Sequence, residues 1–272
     1  MRVGQNPNRL KMVSGYPPVV VSAITYLPNQ EGYHQHRMEV IQTSLQTMRA
    51  NAGTDCAVWV WDNGSCAALR DWLLHDYKPE YLTFSQNIGK SSARASIVRS
   101  LPNNTIVGVA DDDMYYYPDW LHACIDVLLT YPNVGQVSGY PVRTQMRWAN
   151  ASTIRWARDN AKIEVGRFIP DRWDFDFAVS VGREYAHHQQ LTVKDNDLLI
   201  TYKGKRVYAA GHHCQWVGRA GVMKPFCVWD DEAMADEKPF DYAVDKAGYL
   251  RLTTENRYTR HIGNYLDEEL MQ

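Results

Sequence analysis

Three consecutive carboxylates, Asp111, Asp112 and Asp113, follow the apolar run Thr105 to Ala110 and precede Pro118 and Trp120. Acids crowded at the end of a buried strand repel one another unless a cation sits among them, so this stretch asks for a divalent metal. Oxygen ligands suit Mg²⁺ or Mn²⁺, ions that commonly bridge to phosphates. Strand alternation sends Asp111 and Asp113 to one side and Asp112 to the other. The outer pair is therefore assigned to the cation, and Asp112 to a ligand hydroxyl or a structural hydrogen bond. A solvated acidic turn is the competing reading, and it is the surrounding elements that decide against it.

Those elements are short apolar runs ending in polar residues. Val19 to Tyr26, Ala57 to Asp62 and Thr105 to Asp111 have the length and β-branched or aromatic content of buried parallel strands. Between the first two, Met38, Ile41, Leu45 and Met48 recur at helical spacing within Gln35 to Ala50. Further helices are marked by Leu69, Trp72 and Leu73, by Ala93, Ile97, Val98 and Leu101, and by Leu121, Cys124, Ile125 and Leu128. Alternating strands and helices imply an α/β fold, a Rossmann-like, mostly parallel sheet with right-handed crossovers and helices on both faces. Ligands bind outside the carboxyl ends of such strands, where Thr25 and Tyr26, Asp62, Asn63 and Ser65, and the acidic triplet all fall.

The same segments resemble the inverting glycosyltransferases of the GT-A fold, and among them the large group called family 2. The resemblance is carried by Val19 to Tyr26, Trp61-Asp62-Asn63-Gly64-Ser65, Asn87-Ile88-Gly89-Lys90 leading to Ala93-Arg94, the acidic triplet with its Asp-x-Asp spacing, and Gly248-Tyr249-Leu250-Arg251-Leu252 running to His261-Ile262-Gly263-Asn264. It implies transfer of a sugar from a nucleotide-diphosphate donor, with Asp62 on the nucleobase and Asp111 to Asp113 holding metal and donor. Thr25, Tyr26, Asn63, Gly89, Lys90, Arg94, Asp111 and Asp112 are the donor-binding expectations. Asp111, Asp113 and His261 are the metal ligands, with Mn²⁺ or Mg²⁺ as cofactor. Asp62 can accept from the imide of uracil, thymine or guanine, and family frequency favours UDP-sugars.

Inversion needs a carboxylate to deprotonate the acceptor hydroxyl. In the family an acidic helical turn about a dozen residues before a Gly-aromatic pair supplies it, and here that neighbourhood reads Asp236-Glu237-Lys238-Pro239-Phe240-Asp241. Asp241 is the first choice, because Asp241 and Asp245 share a helix face, Pro239 suits the first turn, and a helix N-terminus keeps a carboxylate ionised. Asp236 and Glu237 are the reserves, and Asp195 is a weaker rival. Asp230 and Asp231, after Trp229, are expected on a loop near the acceptor.

Residues 141 to 190 mix Arg143, Arg147, Arg155, Arg158, Arg167 and Arg172 with Trp148, Trp156, Trp173, Phe168 and Phe175. They are read either as a grip on a sugar or phosphate-bearing acceptor or as a helical insertion packing its own small core. Beyond them, Asp197 to Tyr202 and Arg206 to Gly218 around Lys203-Gly204-Lys205 give a hairpin pattern whose second strand aims His212 and His213 to opposite faces, one toward the site. His212, His213 and Trp229 are the acceptor-side expectations. His34 with His36, and His187 with His188, flank polar residues and are expected to face solvent.

The whole chain of 272 residues reads as one domain, with a nucleotide-sugar half over 17–140 and a C-terminal acceptor half over 141–272. A formal net charge of −2 gives no general attraction to nucleic acid or anionic membranes, so a nucleic-acid acceptor is disfavoured against a glycan, a lipid-linked sugar or a small molecule. No transmembrane segment or signal-peptide core is seen, and the expected location is cytoplasmic, which sets aside the glycosylation triplets at Asn63 and Asn150. Residues 1 to 16 read as a loose arm. Five cysteines without a Cys-x-x-Cys pair are expected as buried thiols. A nucleotidyltransferase is a second reading, weakened because Tyr26-Leu27-Pro28-Asn29-Gln30 is no Gly-rich phosphate loop. A non-catalytic sugar binder that kept the fold is a third.

Overall fold

The computed structural model describes residues 15–229 and 237–264, together with 4, 266 and 270. In chain order the elements are β1 (Val19–Thr25), α1 (Arg37–Ala50), β2 (Ala57–Asp62), α2 (Ala67–Trp72), β3 (Tyr81–Phe84), α3 (Lys90–Ser100), β4 (Ile106–Asp111), β5 (Met114–Tyr116) and α4 (Trp120–Thr130). There follow β6 (Val134–Ser138), α5 (Ala151–Asn160), β7 (Lys162–Gly166), α6 (Asp171–Ser180), α7 (Tyr185–Thr192), β8 (Asp197–Tyr202) and β9 (Lys205–Ala209). The last are β10 (Gln215–Arg219), α8 (Ala220–Met223), α9 (Lys238–Lys246), β11 (Leu250–Thr254) and β12 (Thr259–His261).

Ten strands form one sheet in the order β3-β2-β1-β4-β10-β6-β11-β9-β8-β7. The β3-β2-β1-β4 block is parallel throughout, as the alternating strand–helix pattern requires. β6 and β11 are also parallel, whereas β10 runs antiparallel between β4 and β6 and the far edge is antiparallel. The result is the α/β architecture of the GT-A resemblance.

Strand alternation divides the core between the two faces. Val21 and Ala23 of β1 pack with Ile41, Leu45 and Met48 of α1 and with Trp120 and Leu121 of α4. Val20, Val107 and Val109 face Ala95 and Val98 of α3 and Ala220 and Met223 near α8. Leu45 is fully buried, so Leu45→Ala is expected to cost about 2–5 kcal/mol, read by urea unfolding. A cost below about 1 kcal/mol would mean that α1 does not close this face.

The expected hairpin is only half correct. β8 and β9 pair around Lys203-Gly204, but the second strand does not continue to Gly218. It breaks at Ala210, whose φ of 76° is left-handed, and the chain crosses to insert β10 beside β4. His212 and His213 therefore lie in a connection and not on alternating faces of a strand.

The 141–190 region packs partly on itself and partly on the rest of the chain. Arg143 is fully buried and pairs with Asp174 and, at 3.0 Å, with Asp197, while Trp156 packs on Tyr131 and Tyr202. Arg143 is thus internal and not an acceptor grip, Trp156 joins the main core instead of a separate small one, and Trp148 is described below.

The histidines expected in solvent also need correction. His36 and His187 are exposed, but His34 is half-buried and His188 of α7 is fully buried against Phe177 and beside Arg183. Burial first, then Arg183, Arg147 and Arg143, lower the His188 pKa to about 4. The unfolded chain then binds more protons between about pH 6.5 and 4, so stability is present above that window and lost as pH falls through it. The thermal midpoint is expected to drop across this window, and to drop less in His188→Gln; an equal drop in both would remove His188 as a cause.

Among the described residues no helix is long and apolar enough to cross a membrane. Cys124, Cys214 and Cys227 are buried, Cys56 and Cys66 partly so, and all five are free thiols.

Candidate active site

The parallel register aligns the strand ends: Thr25 sits opposite Asp62, and Ile24 opposite Asp111. A cleft of about 320 Å³ opens there, walled by Tyr26, Asn63 and Lys90 among others, with the acidic triplet at its floor. A tight turn shapes one wall. Asn63 Oδ1 accepts from the Ile88 N–H at 2.9 Å, and its amide donates to Asn87 Oδ1, which also accepts from the Gly89 N–H that opens α3. Gly64 has φ of 98°, and a Cβ there would lie 2.9 Å from the Asn87 nitrogen, so only glycine fits.

Each acid of the triplet has its own partners. Asp112 accepts from the Tyr26 N–H at 3.2 Å and pairs with Arg37, a structural role. Asp111 Oδ1 lies 2.6 Å from Lys90 Nζ. Asp113 meets Arg37 at 3.1 Å and His261 Nε2 at 3.4 Å. The short ladder of β5 and β12 sets His261 opposite Met114, next to Asp113, and Ser180 Oγ contacts His261 Nδ1 at 2.9 Å. Burial alone would raise the Asp113 pKa, but His261 and Arg37 outweigh it and hold the carboxyl well below the usual range. Burial likewise opposes charge on His261, and Asp113 reverses it, raising the imidazole. Asp111 goes the other way, because burial and its acidic neighbours outweigh Lys90 and raise its pKa.

Among the described residues no three His, Cys, Asp or Glu side chains could hold an ion by themselves. Asp113 Oδ1 is nevertheless buried without a hydrogen-bond partner, and His261 stands beside it. Two protein ligands with an orphaned carboxylate oxygen fit a hard cation whose remaining positions go to phosphate and water. Asp111 stands nearer to Lys90 in this arrangement than to a ligand role.

A second cleft, of about 340 Å³, shares Asp111 with this floor and is lined by Tyr140, Gln145, Trp148, His212, His213, Glu237 and His261 among others. Glu237 pairs with Lys90 at 3.0 Å and with Arg94, which together with His213 overcome burial and keep its pKa well below the usual carboxylate range. A chain of contacts therefore runs Asp111, Lys90, Glu237, Arg94 along the seam of the two clefts.

Other expected residues stand elsewhere. Thr25 and Asp62 are fully buried behind the first cleft: Asp62 accepts from Arg70 Nε at 2.9 Å and the Ser65 N–H at 3.2 Å, and Thr25 Oγ1 is 3.4 Å away. Arg94 reaches Glu237 and does not line the donor cleft. Asp241, the first choice for the base, is fully buried. It accepts from Trp148 Nε1 at 3.2 Å, contacts His213 Nδ1 at 2.9 Å and pairs with buried Arg251 at 2.6 Å, so its helix-end position serves an internal ion pair. Trp229 is exposed and lines neither cleft. Asp236, Asp230 and Asp231 lie outside the described residues.

Sequence reasoning missed Arg37, Tyr140, Gln145 and Arg251. An arginine at the start of the first helix was a usable signal for Arg37, and the polar end of β6 at Ser138-Gly139-Tyr140 was one for Tyr140.

Comparison with known proteins follows the same lines. No curated protein matches the chain in sequence. Among solved structures, GalNAc-T7 with UDP, GalNAc and Mn²⁺ superposes with a TM-score of 0.50 at 9% identity, covering 93% of this chain and 46% of that one. TarS 1–349 from S. aureus gives 0.46 at 13%, covering 90% and 60%. The mannosyltransferase PcManGT from Pyrobaculum calidifontis, in complex with GDP-Man and Mn²⁺, gives 0.33 at 24%, covering 46% and 36%. The chain thus spans 36% to 60% of the length of these structures, and the first of them supports the fold. The glycosyl transferase family 2 model matches residues 34–191, more than half of the chain and the whole stretch from α1 through the acidic triplet to α7, and the chain belongs to that family.

Proposed function

We propose that the chain transfers a sugar from a nucleotide-diphosphate donor to an acceptor hydroxyl with inversion. The observation that carries this reading is the pair of clefts meeting at Asp111, with an ionised carboxylate, Glu237, on the second. In this reading the first cleft takes the donor. Tyr26 and Asn63 flank the nucleoside, and Lys90 offers its cation to the diphosphate. Asp113 and His261 would hold Mn²⁺ or Mg²⁺, which would supply charge neutralisation for the diphosphate leaving group. Glu237, which lines the second cleft, takes the proton from the acceptor hydroxyl, replacing Asp241, which is fully buried and lines neither cleft. A single displacement across the seam needs no covalent intermediate, and inversion follows.

A panel of UDP-, GDP- and dTDP-sugars with Mn²⁺, scored for released nucleoside diphosphate and for pyrophosphate, tests the reading; the imide that Asp62 was expected to accept from is common to uracil, thymine and guanine, which is the reason to include all three nucleotides. Nucleoside diphosphate is expected. Pyrophosphate would indicate a nucleotidyltransferase, and binding without release a sugar-binding protein.

A further inference from the structure

The second cleft contains polar atoms that the transfer chemistry does not use. His212 is buried, and its Nε2 has no hydrogen-bond partner among the described residues. Its tautomer is fixed by the backbone: the Cys214 N–H donates to Nδ1 at 3.2 Å, so the neutral ring carries its proton on Nε2. Burial, then His213 and His261, keep the ring neutral by lowering its pKa well below the usual histidine value. Gln145 is buried too, and its amide oxygen also lacks a partner. A donor and an acceptor stand without partners in one cleft, and a ligand that pairs with both removes the penalty of leaving them buried and unsatisfied.

The rest of the lining is aromatic or charge-compensated. Tyr140 stands 5.2 Å from His212, ring to ring, and Phe177 and Trp148 add further aromatic surface. The charged groups meet partners: Asp111 with Lys90, Glu237 with Lys90 and Arg94, His261 with Asp113, His213 with Asp241, and Lys238 over the Trp148 ring at 5.2 Å. A phosphate or carboxylate entering here would be desolvated against an acidic floor with the cations already engaged. Neighbouring hydroxyls on an apolar ring suit it better, since each hydroxyl can both donate and accept while the C–H face packs on aromatic carbon.

We propose that this cleft is the acceptor subsite and takes an uncharged sugar ring, with His212 Nε2–H donating to one hydroxyl and Gln145 Oε1 accepting from another. The proposal rests on the glycosyltransferase reading for its role but not for its binding test. Saturation-transfer NMR on the wild-type chain with methyl glucoside, methyl galactoside and methyl N-acetylglucosaminide is expected to show contact with at least one of them. Glucose 6-phosphate, methyl glucuronide, a hydroxyl-bearing peptide and a single-stranded oligonucleotide are expected to show weaker contact or none. With the sugar so identified, Gln145→Leu and His212→Phe are expected to raise its KM about tenfold while kcat changes less than threefold. Folding is checked by the thermal midpoint, and should His212→Phe fail to fold, Gln145→Leu and the wild-type binding panel decide. Preferred binding of any charged probe, the peptide or the oligonucleotide overturns the proposal, as does no sugar binding at all or an unchanged KM. If nucleoside diphosphate is still released from a donor in those cases, only the acceptor assignment has failed and the transferase reading stands.

Discussion

Asp113→Asn is expected to lower metal-dependent turnover about a thousandfold while the chain stays folded. The substitution removes the charge beside His261 and the carboxylate oxygen that lacks a partner, and leaves Asp112 to hold Arg37 and the Tyr26 N–H. Local structure therefore survives while the cation loses its one carboxylate ligand in the proposed pair. Steady-state release of nucleoside diphosphate over a Mn²⁺ titration, with a thermal melt as control, measures both parts. Near-parental turnover, or full parental activity in excess chelator, would eliminate the metal role.

Glu237→Gln and Asp241→Asn are expected to fail in different ways. Glu237 lines the second cleft and is ionised, and if it is the base as proposed, the amide removes the proton acceptor and should cut transfer by about 10²–10⁴-fold with donor nucleotide still bound. Asp241 instead balances the buried Arg251 guanidinium, which also donates to the carbonyls of Ala149 and Gly211. Neutralising it strands a buried cation and should cost about 3–5 kcal/mol of stability. Urea unfolding and single-turnover transfer on each variant separate the two. A stable, inactive Asp241→Asn beside an active Glu237→Gln would return the base to Asp241.

What could be read from the chain alone follows the range of the interactions involved. β1, β2 and β4 were legible because each is a buried apolar run with a polar end, and a parallel sheet places such ends together. Val20, Val21 and Asp111 needed no distant partner to declare themselves. The burial of Asp241 was not legible because helix spacing and Pro239 describe only its own element, whereas that burial is decided by Arg251 on β11 and Trp148 before α5. The same holds for His212 and His213, whose strand ends early at Ala210, where a left-handed backbone lets the chain cross the sheet. Arg143, which the sequence left between an acceptor grip and an insertion core, is sealed between Asp174 and Asp197, 31 and 54 residues away, pairings that no local pattern carries.

The most direct measurement is the anomeric configuration of the transferred sugar, followed by early-time proton NMR of the product formed on an acceptor or on water before mutarotation. A donor bound in the first cleft and deprotonation by Glu237 from the second leave one displacement, so the product is expected with the anomeric configuration opposite to that of the donor. A product that keeps the donor configuration would contradict single displacement across the seam at Asp111, and with it the roles given to both clefts.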